Sequence, residues 1–241
     1  MKKIIKIGAL ISGGGSNLQA VINACESGDI DGKVVFVGSD NLDAKGLKRA
    51  EKHNIPSFVV DYKSIIKSCR NKPEKVKVPS DFNFQDIKSK QALFADNFTD
   101  NTVADKIKFF LITRAIAEAK LLEKMKSIPF DLLILAGYMR TLTPYFIDHV
   151  NINPDFPRII NIHPALLPAF PGIDGYGDTF RYGCKIGGCT VHFIDYGEDT
   201  GQIIGQKAFP IEEDDTLEII KEKGLKLEWQ LYPESIRKLF M

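Results

Sequence analysis

Apolar positions in this chain fall into short β-branched runs separated by stretches of helical spacing. Ile4–Ile11 is a compact apolar run ending in glycines, the pattern of a strand buried on both faces. Ser16–Glu26 then carries Leu18, Val21, Ile22 and Cys25 at helical spacing, which predicts strand, glycine loop and helix in that order. Val34–Val37 reads as a second strand, Ala44–His53 as a helix and Ser57–Val60 as a third strand. This βαβα rhythm implies a parallel sheet.

The rhythm weakens between Tyr62 and Asp105, a stretch rich in Lys, Asp, Asn and Ser with Pro73 and Pro79 as breakers. Its aromatics, Phe82, Phe84, Phe94 and Phe98, argue against simple disorder, so it reads as a partly helical insertion. Regularity returns with a helix around Lys108–Lys126, a strand over Asp131–Ala136 and another over Arg158–Ile162. Gly188–Asp195 and Gln202–Phe209 read as two further strands. Thr216–Lys238 reads as a closing helix, broken or bent near Gly224 and Pro233. No internal repeat or low-complexity tract interrupts the pattern.

Composition narrows the class without naming a chemistry. A chain of 241 residues with 44% hydrophobic and 26% charged content is that of an ordinary soluble globular protein. The net charge of +1 gives no electrostatic case for nucleic acid or an anionic membrane as partner, so anion binding must be local. Cys25, Cys69, Cys184 and Cys189 include no Cys-x-x-Cys pair and no metal-ligand spacing, which fits free thiols in a reducing cytoplasm and no metal. The basic, apolar N-terminus is not read as a signal peptide, because Lys6 interrupts it and a glycine loop follows.

Two clusters carry the chemistry. Gly13, Gly14 and Gly15 let the backbone approach an anion, and Ser16 and Asn17 add donors at a helix N-terminus, where phosphate is favoured. The Walker spacing is absent, and Leu18 stands where a dinucleotide fingerprint needs its third glycine. The structural alternative is a tight turn capped by Ser16. The second cluster runs from Asn161 to Asp199. Asn161 and His163, two apart on a strand, project from one face toward the strand's carboxyl end. An amide that donates without titrating, an imidazole that moves protons near neutrality and the Asp199 carboxylate that orients it suit acyl transfer. On strand alternation His192 reads as structural, while His53 and His149, near helix ends, read as solvated.

The run from Asn161 to Gly172 (Asn-Ile-His-Pro-Ala-Leu-Leu-Pro-Ala-Phe-Pro-Gly) resembles the signature of the folate-dependent formyltransferases. The runs Ile11–Leu18, Leu135–Leu142 and Val191–Ile194 agree, and the first is similar to that of members acting on a glycinamide ribonucleotide. The resemblance covers nearly all of the chain outside residues 62–105. It implies a single formyltransferase domain over 1–241 with a Rossmann-like doubly wound, mostly parallel α/β sheet and helices on both faces. Within it, 1–61 would be the phosphate-binding half and 106–241 the folate-binding and catalytic half.

The implied reaction moves the formyl group of the co-substrate 10-formyltetrahydrofolate to the amine of N1-(5-phospho-D-ribosyl)glycinamide, in purine synthesis, with no metal. Asn161, His163 and Asp199 would be catalytic; Gly15, Ser16, Asn17 and Glu228 would bind the acceptor. Arg114, Met139, Arg140, Thr141, Leu142, Asn161 and the loop Asp195, Tyr196, Gly197, Glu198 and Asp199 would line the folate pocket. Partners would be small molecules, with neither nucleic acid nor membrane, and the state a monomer or homodimer. Two departures stand out: Ile173–Gly177 replaces a usual His-x-His stretch, and Leu225 sits where a polar side chain is common. A 10-formyltetrahydrofolate hydrolase and a silent nucleotide-binding module remain the alternatives; the first shares the trio, the second needs only the glycine loop.

Overall fold

Alternation along the central strands sorts the core into two layers. In β1 (Ile5–Ile11), Ile5, Ile7, Ala9 and Ile11 pack to one side, against α1 (Ser16–Glu26) and α8 (Leu217–Leu239). Leu10 packs to the other, against α3 (Tyr62–Asn71), α5 (Asn101–Met125) and α6 (Pro144–Val150). β4 (Leu132–Leu135) divides in the same way, with Leu132 and Ile134 on the first side and Leu133 and Leu135 on the second. Each such fully buried aliphatic contributes roughly 1.5–3 kcal/mol, so the sheet is held from both faces. The computed structural model describes residues 4–94, 101–153 and 155–241.

The remaining elements are β2 (Gly32–Ser39), α2 (Gly46–Lys52), β3 (Ser57–Val59), α4 (Phe84–Lys90), β5 (Ile159–His163), α7 (Gly175–Tyr182), β6 (Ile186–Phe193) and β7 (Ile203–Pro210). The seven strands form one sheet in the order β3-β2-β1-β4-β5-β6-β7. The first five run parallel, and β6 and β7 join antiparallel. The chain therefore builds outward from β1 to β3 and returns on β1's other side at β4. That reversal opens a crevice at the carboxyl ends of β1 and β4, where open α/β sheets bind ligands.

The 62–105 stretch is partly helical, as its pattern suggested: α3, a short 3-10 turn at Pro73–Lys75 and α4. Phe82, Phe84 and Phe94 pack with Ile87, Ile107, Leu111 and Tyr145 into a satellite core, while Phe98 lies outside the described residues. The closing helix is not broken: α8 runs continuously from Leu217 to Leu239. Gly224 is there for proximity: a methyl on it would overlap the Tyr176 ring. Pro233 forfeits one backbone donor, but Leu231, Tyr232, Ser235 and Ile236 bury the helix around it. Among them Tyr232 donates its hydroxyl to the carbonyls of Leu135 (3.0 Å) and Ile160 (3.1 Å), tying α8 to β4 and β5. Helix α7, short and Gly-headed, was not predicted, and α6, with His149 in its last turn, was anticipated only as a helix end. Among the described residues, no helix is long and apolar enough to cross a membrane.

Candidate active site

The glycine loop leaves β1 and is fastened on both sides. Ser12 N donates to Gly137 O (3.0 Å) and Met139 N donates to the Ser12 hydroxyl (2.8 Å), lacing the loop to the segment after β4. From α2, Gly46 N donates to Gly13 O (2.9 Å) and Arg49 Nε to Gly14 O (2.9 Å). Gly15 has φ +69, and a methyl on it would press into Gly46, so only glycine fits. Gly15, not Ser16, is the residue before the helix, and no side chain caps the first turn. Ser16 is therefore not the cap of this turn, and the first N–H groups of α1 stay available to an anion.

Strand register builds the second corner. Asn161 and His163 line one cleft with the face of β5 that carries Ile159. Across the antiparallel pair, Asn161 stands directly opposite His192 of β6, and paired residues project to the same face. Their side chains meet, Asn161 Nδ2 lying 3.3 Å from His192 Nε2. His192 is fully buried, and its Nδ1 lies 2.8 Å from Phe193 O, which as a carbonyl can only accept. Nδ1–H therefore donates to Phe193, and Nε2 is left to face the Asn161 amide. Asp199 closes the circuit: Oδ2 is 3.1 Å from His163 Nδ1, and Oδ1 is 3.4 Å from His192 Nε2.

Asp199 sits at φ +55 and also accepts from Gly172 N (2.8 Å). Burial works against its charge, yet His192, the adjacent His163 and the Gly172 N–H together hold its carboxyl below the usual range. His163 is 2% exposed, and its Nε2 lies 2.8 Å from the carbonyl of Phe170, another residue at φ +55. Both ring nitrogens thus face acceptors, which the doubly protonated imidazolium satisfies. His192, read from alternation as structural, joins this cluster; alternation alone does not reveal which residue lies across from it.

Opposite this corner, Glu228 of α8 is 5% exposed. Asn17 Nδ2 donates to its Oε2 (2.6 Å), and the Tyr176 hydroxyl donates to its Oε1 (2.6 Å). Burial pushes this carboxyl up, and the two donors only partly oppose that. Among the described residues, the buried Asn17 Oδ1 has no partner at the wall of the cleft.

Between the corners lies a cleft of about 550 Å³, in the range of small-molecule sites. Gly15, Ser16, Asn17, Met139, Arg140, Thr141, Leu142, Asn161, His163, Asp195, Gly197, Glu198, Asp199 and Glu228 all line it. Two predicted residues do not. Tyr196 turns its hydroxyl to Asp148 (2.5 Å) on α6. Arg114 is buried, its guanidinium 4.7 Å from the Phe110 ring centre and 5.3 Å from that of Tyr62. It is drawn inward by these rings and by Glu118 one turn on, a fully buried carboxyl pushed up to about 7 by desolvation. Glu118 accepts from Thr143 N (2.8 Å) and Thr143 Oγ1 (2.5 Å), pinning the segment that ends the Met139–Leu142 wall. Arg140 lines the cleft while its Nε is paired with buried Asp40 (2.5 Å). His53 is not solvated as predicted: it is half-buried beside Glu26 (2.6 Å) and Gln19. His149 is exposed. Among the described residues, no group of three His, Cys, Asp or Glu side chains could hold a metal ion.

Comparison with known proteins identifies the family. The family model described as "Formyl transferase" matches residues 5–236. The phosphoribosylglycinamide formyltransferase of Bacillus subtilis is 34% identical over 97% of this chain and 94% of its own length. That of Haemophilus influenzae is 34% identical over 96% of this chain and 85% of its own. The crystal structure of glycinamide ribonucleotide transformylase 1 from Symbiobacterium toebii superposes with a TM-score of 0.73 at 34% identity, covering 98% of this chain and 88% of that one.

Proposed function

The chain belongs to the formyl transferase family, and from that premise we propose how its cleft works. The protein is an enzyme that moves a formyl group from a formyl-folate to the amine of phosphoribosylglycinamide, a step of purine synthesis. The donor we assign is 10-formyltetrahydrofolate. Its formyl end enters beside Met139–Leu142 and the Asp195–Asp199 loop; the acceptor's phosphate rests on Gly15, Ser16 and Asn17, with Glu228 beside its ribosyl-amine end. Binding the phosphate at a distance from the reacting atoms supplies orientation, which can lower the barrier by several kcal/mol.

The amine attacks the formyl carbon directly: a C–N bond forms, the carbonyl becomes a tetrahedral oxyanion, and the C–N bond to the folate then breaks. The amine's proton passes to the departing folate nitrogen, by way of water ordered at Asp199. Asn161 Nδ2 and protonated His163 donate to the oxyanion, each donor worth roughly 3–4 kcal/mol. His163 performs this by exchanging the Phe170 carbonyl for the substrate oxygen. The observation that carries this reading is Asp199, one carboxylate contacting both His163 and His192, with Asn161 on the second.

The test is formyl release from 10-formyltetrahydrofolate with and without phosphoribosylglycinamide. Transfer that depends on the acceptor is expected. Equal release without it would identify a hydrolase instead, and no release in either arm would mark a silent binding module.

A further inference from the structure

We infer that Tyr176 is a positioning residue for the acceptor, holding the Glu228 carboxylate in place from the stretch of chain between Ile173 and Gly177. The inference rests on the reading of Glu228 as part of the acceptor site. Tyr176 lies in α7, is 6% exposed and borders the cleft. Its hydroxyl and the Asn17 amide take one carboxylate oxygen each, both at 2.6 Å. An ionised carboxylate has about four acceptor positions, so roughly two remain for a hydroxyl or amine of the ligand. With one donor gone, the carboxylate is free to rotate about its terminal bond and lose that aim.

The backbone is shaped to seat this ring. Gly224 on α8 meets the hydroxyl end of the ring, where any side chain would collide, and Phe209 flanks it at 6.5 Å between ring centres. Gly175, at the start of α7, lets the helix approach the Pro164 carbonyl just past His163. Leu225, on the cleft wall near Glu228, offers no hydrogen bond, so Tyr176 is the polar side chain that reaches Glu228 from this side.

The electrostatics agree. No lysine or arginine among the described residues pairs with Glu228; Lys221 shares the cleft wall but is exposed and makes no ion pair with it. Cys189 of β6 and Tyr232 of α8 face it as a neutral thiol and a neutral phenol, the former pushed up to about 12 by burial. Asn17 and Tyr176 are therefore what sustains the carboxylate against burial.

The experiment uses the full chain with Tyr176→Phe, which keeps the ring and removes only the hydroxyl. Steady-state kinetics with both substrates should show the Michaelis constant for phosphoribosylglycinamide rising about tenfold, as for one lost hydrogen bond to a charged group. The constant for the formyl-folate and kcat should stay within about twofold, and the acid limb of kcat/KM for the acceptor should move to higher pH. Gly224→Ala, which keeps the hydroxyl but displaces the ring, should give the same selective pattern by an independent route. In a Glu228→Gln background, Tyr176→Phe should add less than about twofold, because its effect passes through Glu228.

An unchanged acceptor constant in a folded Tyr176→Phe protein would overturn the proposal. So would a parallel rise in both Michaelis constants, or a full additional effect in the Glu228→Gln background. If the unaltered enzyme shows no acceptor-dependent transfer, the functional reading fails first; if it does and Tyr176→Phe is indifferent, only the role of Tyr176 is lost.

Discussion

Asp199 and Glu228 are carboxylates in the walls of one cleft, yet their surroundings drive them in opposite directions. Burial opposes both charges. At Asp199 two imidazoles and a backbone N–H outweigh it, and the group is held below the ordinary carboxylate range. At Glu228 a neutral amide and a neutral phenol do not, and the group is pushed up. Pairs of titratable groups with divergent environments commonly divide the labour of a site. On the proposed reading, the charge-supported carboxylate serves the chemistry before any ligand arrives, whereas the other is completed by donors that the ligand brings.

The sharpest way to break this contrast is Asp199→Asn. Asparagine tolerates the positive φ of that position, so the loop should survive while His163 and His192 lose their anion. Turnover should fall about a thousandfold or more, with acceptor binding nearly unchanged, as read by single-turnover kinetics and calorimetry. A loss under tenfold would remove Asp199 from the chemistry. Asn161→Ala should lower kcat by roughly a hundredfold with little change in either Michaelis constant, the signature of a donor used chiefly in the transition state.

At the other carboxylate the effect should be smaller and of another kind. Asn17→Ala should raise the acceptor's Michaelis constant about tenfold and spare kcat, and an unaltered constant would count against the phosphate corner. Glu118 supplies a control remote from the reacting atoms. Its folded value near 7 exceeds the ordinary 4.5, so its contribution to stability is fully present below about 4.5 and is lost as pH rises through 7. Denaturant unfolding of Glu118→Gln should show a flatter dependence across that window than the parent, with kcat changed least of all. An identical slope in the two proteins would mean that Glu118 is not the group responsible.

Much of this contrast was legible in the sequence because it depended on local periodicity. Two-residue spacing put Asn161 and His163 on one face, and the glycines after an apolar run marked the strand-to-helix turn. What stayed hidden depended on pairing between distant segments. The β5–β6 register that sets His192 opposite Asn161 has no local signal, since Val191, His192 and Phe193 read equally well in either phase. The resemblance set Arg114 in the folate pocket, whereas Phe110, Glu118 and Tyr62, the last from a distant helix, hold it inward. Gly224 looked like a break in a helix, because a glycine chosen for the close approach of a ring resembles one chosen for flexibility. The departure at 173–177 proved to be where α7 begins and where Glu228 finds a partner.

The unbroken α8 has a consequence for how this chain can change over time. Glu228 and Tyr232 are one turn apart on it, the first facing the cleft and the second fastened to the carbonyls of Leu135 and Ile160. One inserted or deleted residue between them would rotate one against the other by about 100°. The helix therefore acts as a phase-locked spacer: its surface can drift freely in composition, but not in length, between the Glu228 carboxylate and the strand ends from which Asn161 projects.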